Sequence, residues 1–134
     1  MKLSSNGKVL AILLIVFVFC DFLLSPLAFE TRASALLGSP ASRPWLALLF
    51  GGLILNIFSL ILVASKPRIA SILAIIGSIG YIIVGLADQK GLVSVIRPPV
   101  LITDVEIITI LVLVAVLFFA SRVYMESAPR SPRQ

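Results

Sequence analysis

Residues 45–65 read WLALLFGGLILNIFSLILVAS and residues 69–87 read IASILAIIGSIGYIIVGLA, with only Lys66-Pro67-Arg68 between them. Neither run contains a charged side chain. A helix rising about 1.5 Å per residue needs roughly 17–25 apolar residues to cross about 30 Å of hydrocarbon, and both runs meet that length. Strands of a membrane barrel would be shorter and would alternate apolar with polar residues. Backbone N–H and C=O groups must be satisfied internally in lipid, so the two runs predict membrane-crossing α-helices. A link this short makes them antiparallel neighbours.

Working outward, two more runs have the same character. Val9 to Phe29 is apolar apart from Asp21, and residues 104–124 hold an apolar heart from Ile107 to Ser121. The 134 residues are 60% hydrophobic and 13% charged, against about a quarter charged in soluble domains. The sequence therefore predicts an all-α, four-transmembrane-helix bundle, multi-pass in the cell membrane. It forms one domain over residues 1–126, with spans at about 9–29, 45–65, 69–87 and 104–124. The tail at 127–134, with its Pro, Ser and Arg, is expected to be disordered. The first run is longer than the roughly 7–15-residue core of a signal peptide, so it is expected to persist as a helix.

Charge placement predicts orientation. Lys2, Lys8, Lys66, Arg68, Arg122, Arg130 and Arg133 fall on the side that holds both termini, whereas Arg32, Arg43, Lys90 and Arg97 fall on the other. The cytoplasmic side carries the excess of Lys and Arg, so an N-in/C-in topology is expected. The net charge of +5 is spread over loops and tails, where it meets lipid head groups rather than nucleic acid.

The two outer connections differ. Residues 30–44 are rich in Ser, Ala and Pro, whereas residues 92–102 are apolar around Pro98-Pro99. The proline pair rules out a continuous helix there. Thr103-Asp104-Val105-Glu106 fits a Ser/Thr-x-x-Glu capping box and predicts the start of the fourth helix.

Helix three has the clearest faces. At 100° per residue, Ala70, Ser71, Ala74, Gly77, Ser78, Tyr81, Gly85 and Asp88 share one side, and isoleucines dominate the other. Small residues permit close helix approach in lipid, so Ala70, Ala74, Gly77 and Gly85 are expected packing positions, together with Gly52 on helix two. A substrate path beside Tyr81 is the functional alternative to such packing. Asn56 and Ser59 share the stripe of Gly52, where an amide can bridge helices. Helix four is apolar on all sides between Ile107 and Ala120 except for Thr109. That pattern suits the rim of the bundle or a second membrane subunit.

Asp21 lies about 12 Å below the outer end of the first span, where an acid costs about 2.5–3.5 kcal/mol to insert. Apart from Arg122 near the inner end of the fourth, no Lys, Arg or His falls within the four predicted spans. Depth counting puts Asn56 and Ser78 about 14–16 Å below the same surface. Ser25 follows one turn later, and Pro26 frees the carbonyl of Phe22. Asp21, Ser25, Asn56, Ser78 and Tyr81 thus form a candidate intramembrane polar cluster. Asp21 has three possible roles: protonated, holding the bundle together through Asn56 or Ser78; pairing with another subunit; or serving as a proton or cation site in a small transporter.

The composition also excludes chemistry. The chain has no histidine and one cysteine, Cys20, so His haem ligation, His-dependent nucleophilic catalysis and an internal disulfide are unavailable. The sequence predicts neither a cofactor nor a metal site. The expected function is a non-catalytic accessory or structural subunit of a larger integral membrane complex. Its expected partners are the lipid bilayer and other membrane subunits, met through helix four and the 92–102 loop, with no nucleic acid. The alternative is a small homo-oligomeric transporter that uses Asp21.

Overall fold

The computed structural model describes residues 2–94, 96 and 98–129, apart from the side chains of Ser25 and residues 27–35. Four helices make up the fold: α1 (Ser5–Leu37), α2 (Arg43–Leu62), α3 (Pro67–Gln89) and α4 (Val100–Glu126). A short 3-10 turn, Pro40–Ser42, joins α1 to α2. All four helices are long and apolar enough to cross a membrane, and no strand occurs among the described residues.

Local chemistry sets the helix ends. Pro67 opens α3, where its missing N–H is one that the first turn leaves unused anyway. Gly91 ends the same helix with φ of 74°. The amide of Gly91 donates to Asp88 O (3.0 Å) and that of Leu92 to Ala87 O (3.0 Å). This is the paired C-terminal closure that a left-handed glycine allows. Between α2 and α3, the Lys66 amide returns to Leu62 O at 2.7 Å, closing the tight turn.

Two boundaries differ from those expected. α1 does not stop at Phe29 but continues through Pro26 to Leu37, so little of the 30–44 segment is loop. A proline inside a helix removes one hydrogen bond without forcing a stop. Leu36 is buried with Val84, Ala87 and Val93, which ties the far end of α1 to the start of α2 and the end of α3. α4 begins at Val100 rather than at Thr103, with no side-chain cap. The Thr103 amide already donates to Pro99 O at 3.0 Å, so the capping box lies inside the helix. Pro98-Pro99 blocks helix before it but not after it, and Val100 to Ile102 extend the helix outward.

The helices form a ring. α2 packs extensively on α3, α3 on α4 and α4 on α1, while the α1–α2 side is looser. α1 and α3 therefore face each other across one diagonal. Buried positions repeat with alternating steps of three and four: Gly7, Leu10, Leu14, Phe17, Asp21 and Leu24 on α1, and Ile102, Glu106, Thr109, Leu113, Val116, Ala120 and Val123 on α4. That period is the seam of shallow-angle helix packing. Helix four, apolar all round in sequence, thus has a defined inward face. Leu113 is fully buried and Leu111 is 64% exposed. Leu113→Ala is expected to cost about 2–5 kcal/mol in detergent unfolding, and Leu111→Ala no more than about 0.5. Equal losses would place the seam elsewhere.

Candidate functional site

The α2–α3 seam sets the geometry of the bundle centre. A Cβ added at Gly52 would lie 2.7 Å from Gly77 O, and one at Gly77 would lie 2.8 Å from Gly52 O. The two backbones are in direct contact there. The buried polar groups beside this contact bond to one another or to the backbone. Ser78 Oγ donates to Asn56 Oδ1 (3.2 Å), Asn56 Nδ2 donates to Gly52 O (2.9 Å), and Ser59 Oγ donates to Ala70 O (2.8 Å). Ala70, Ser71, Ala74, Gly77, Ser78, Tyr81, Gly85 and Asp88 are all buried, whereas Ile72, Ile76, Ile79 and Ile83 are exposed.

Tyr81 is the large exception on this small-residue face. It sits about 5 Å past the middle of α3 and reaches across the diagonal to α1. Its hydroxyl donates to Asp21 Oδ1, and its ring meets Phe17 edge-on at 4.9 Å between centroids. Asp21 and Tyr81 are only 3% and 4% exposed. The expected partners of Asp21 were Asn56 and Ser78, but those two bond to each other. Both lie in the α2–α3 contact, and it is Tyr81 that extends from α3 across the diagonal to Asp21 on α1. The side chain of Ser25 lies outside the described residues.

From the sequence, Glu106 is the last residue of a capping box at the start of the fourth helix. In the structure it is buried on α4, accepts from Gln89 Nε2 at 3.0 Å, and stands 3.4 Å from where a Gly85 Cβ would be. The glycine makes room chiefly for Ile110, whose Cδ1 would lie 3.0 Å from such a Cβ. One signal was available: Glu106 and Thr109, the latter the one polar side chain between Ile107 and Ala120, share the three-four register. Thr109 Oγ1 donates to Val105 O at 2.8 Å, so its hydroxyl is satisfied within α4.

The connection between α3 and α4 is pinned at one point. Ser42 Oγ donates to Val93 O at 2.7 Å, and Val93 and Ser94 are buried. Leu92, Ile96, Val100 and Leu101 remain exposed; residues 95 and 97 lie outside the described residues, as do residues 130–134 of the tail.

The bundle interior therefore has two halves. Toward the termini it is mostly apolar: Leu10, Leu14, Phe17, Val63, Ala70, Ala74, Leu113, Val116, Ala120 and Val123 fill it, beside the buried Ser59 and Ser71. Toward the other end it holds Asp21, Tyr81, Asp88 and Glu106. Among the described residues, no three His, Cys, Asp or Glu side chains gather as a metal-holding group. The hydrogen-bonded Tyr81–Asp21 pair is closed off from solvent. No protein family, curated protein or solved structure matches this chain.

Proposed function

We propose that the chain is a non-catalytic structural or accessory subunit of a larger integral membrane assembly. One observation carries this reading: the half of the bundle nearest the termini is filled by close-packed apolar side chains from Leu10 to Phe17 and from Leu113 to Val123. The buried serines there, Ser59 and Ser71, donate to the carbonyls of Ala70 and Pro67. A polar substrate crossing this chain alone would have to break that packing. Surfaces for other subunits are the outward side of α4, with Leu111, Phe118 and Met125, and the apolar loop and helix start at Leu92, Ile96, Val100 and Leu101. Both termini are assigned to the cytoplasm, because the basic residues concentrate on their side.

The transporter reading keeps one specific support, the buried carboxyl of Asp21 bonded to Tyr81. Two measurements on one preparation separate the readings. Mild detergent extraction followed by native mass spectrometry is expected to give a discrete heteromeric complex. Vesicles reconstituted with the purified chain alone are expected to show no proton or cation flux above that of Asp21→Asn. Recovery solely as a homo-oligomer, with flux that Asp21→Asn abolishes, would reverse the assignment. In the same cells, a membrane-impermeant amine reagent applied from outside is expected to label Lys90 and spare Lys66; the opposite pattern would invert the topology.

A further inference from the structure

At the end of the bundle that carries both termini, a cleft of about 240 Å³ opens between the start of α1, the α2–α3 turn and the end of α4. Leu3, Val63, Pro67 and Val123 form its apolar walls, and Lys2 and Glu126 are among its polar lining residues. Glu126 accepts a hydrogen bond from the Asn6 amide, so that carboxylate already has a donor. Lys66 adjoins the lining residue Pro67 and is exposed, as are Lys2, Lys8, Arg68 and Arg122. Two of these cations are held in place by aromatic rings. Arg68 lies 5.2 Å from the ring centroid of Tyr124 and donates to its hydroxyl at 3.2 Å, and Arg122 lies 5.3 Å from that of Phe118.

We infer that this cleft seats the phosphoglycerol headgroup of an anionic phospholipid from the leaflet on the side of the termini. Three properties point to a lipid. The cleft lies where α2 ends, α3 begins and α4 ends, which is headgroup depth for a helix bundle of this length. Its walls are apolar, which suits the first acyl carbons of a lipid better than a free anion. Its surroundings carry an excess of positive charge, and basic pockets between membrane helices are a recognised setting for anionic headgroups. The volume admits one headgroup but not two acyl chains, which would run down the adjacent lipid-facing surface. The inference rests on the chain spanning a membrane and is independent of the accessory role.

The test uses the full chain in vesicles of phosphatidylcholine mixed with phosphatidylglycerol, followed by detergent release and native mass spectrometry of retained lipid. Phosphatidylglycerol is expected to be retained over phosphatidylcholine. A lysine near an anionic headgroup is worth on the order of fivefold in affinity. Lys2→Gln is therefore expected to lower retention about fivefold, and Lys2→Gln with Lys66→Gln roughly 25-fold. Ala64→Trp, at an exposed lining position, is expected to lower retention without any change of charge. Lys90→Gln, at the opposite end, is expected to leave it unchanged. Equal retention of the two lipids, an equal loss with Lys90→Gln, or displacement by soluble glycerol phosphate would each overturn the inference. If the chain incorporates but shows no preference, only this inference fails; if it does not incorporate, the membrane reading fails first.

Discussion

Gly77→Leu is expected to leave no stably folded bundle in detergent, whereas Gly51→Ala on the neighbouring helix is expected to leave stability within about 0.5 kcal/mol. The two glycines look alike in sequence, since each sits in an apolar membrane span. Space separates them. A Cβ at Gly77 would meet Gly52 O at 2.8 Å, Asn56 Nδ2 at 2.9 Å and Leu55 Cβ at 2.9 Å, whereas one at Gly51 would meet nothing within 4 Å. Two of the three obstacles at Gly77 belong to the backbone or to the first carbon of a side chain, so neither can swing aside. The helices would have to part, and helix association in lipid depends on that close packing because lipid tails are as apolar as leucine. Even Gly77→Ala is expected to cost about 1–3 kcal/mol, the usual range for overpacking. Titration with sodium dodecyl sulfate in mixed micelles, followed by circular dichroism, measures both variants. Gly77→Ala as stable as Gly51→Ala would mean that α2 and α3 do not touch there.

The inward face of α3 was legible from spacing alone because its residues differ in size. Alanine, serine and glycine fall on one side and isoleucine on the other, and the side that packs is the small one. α4 offered no such contrast between Ile107 and Ala120. Leucine, valine and isoleucine serve equally well against lipid and against protein, so hydropathy could not tell Leu113 from Leu111. Within that stretch, phase was recoverable only from Thr109, its one polar side chain. The later start expected for α4 came from taking Thr103 as a cap when Pro99 already permits a helix to start at Val100. The Ser78–Asn56 and Tyr81–Asp21 bonds were not legible as pairs. Asn56, Ser78 and Asp21 were matched by depth, yet pairing in a four-helix ring also depends on which helices are neighbours and which are diagonal. The α1–α3 diagonal favours a tyrosine, which no depth count reveals.

The Tyr81–Asp21 bond therefore links helices whose backbones do not pack along an extended face. Its effect is separable from packing by two substitutions at one position. Tyr81→Ala removes the ring that lies edge-on against Phe17 and opens a cavity in the bundle centre. A loss of about 3–5 kcal/mol is expected, as for other large aromatic truncations. Tyr81→Phe keeps the ring and removes only the hydroxyl that donates to Asp21. Hydrogen bonds between membrane helices measure about 0.6–2 kcal/mol, because the separated helices also find polar partners. Tyr81→Phe is accordingly expected to cost on the order of 1 kcal/mol. The double-mutant cycle with Asp21→Asn isolates the pair: if the hydroxyl acts through Asp21, the two losses together should fall short of their sum by about 0.5 kcal/mol or more. Losses that add within about 0.3 kcal/mol would mean that the hydroxyl and the carboxyl act separately. A Tyr81→Ala loss no larger than that of Tyr81→Phe would show that Phe17 and its neighbours close over the gap, leaving Tyr81 a polar role without a packing one.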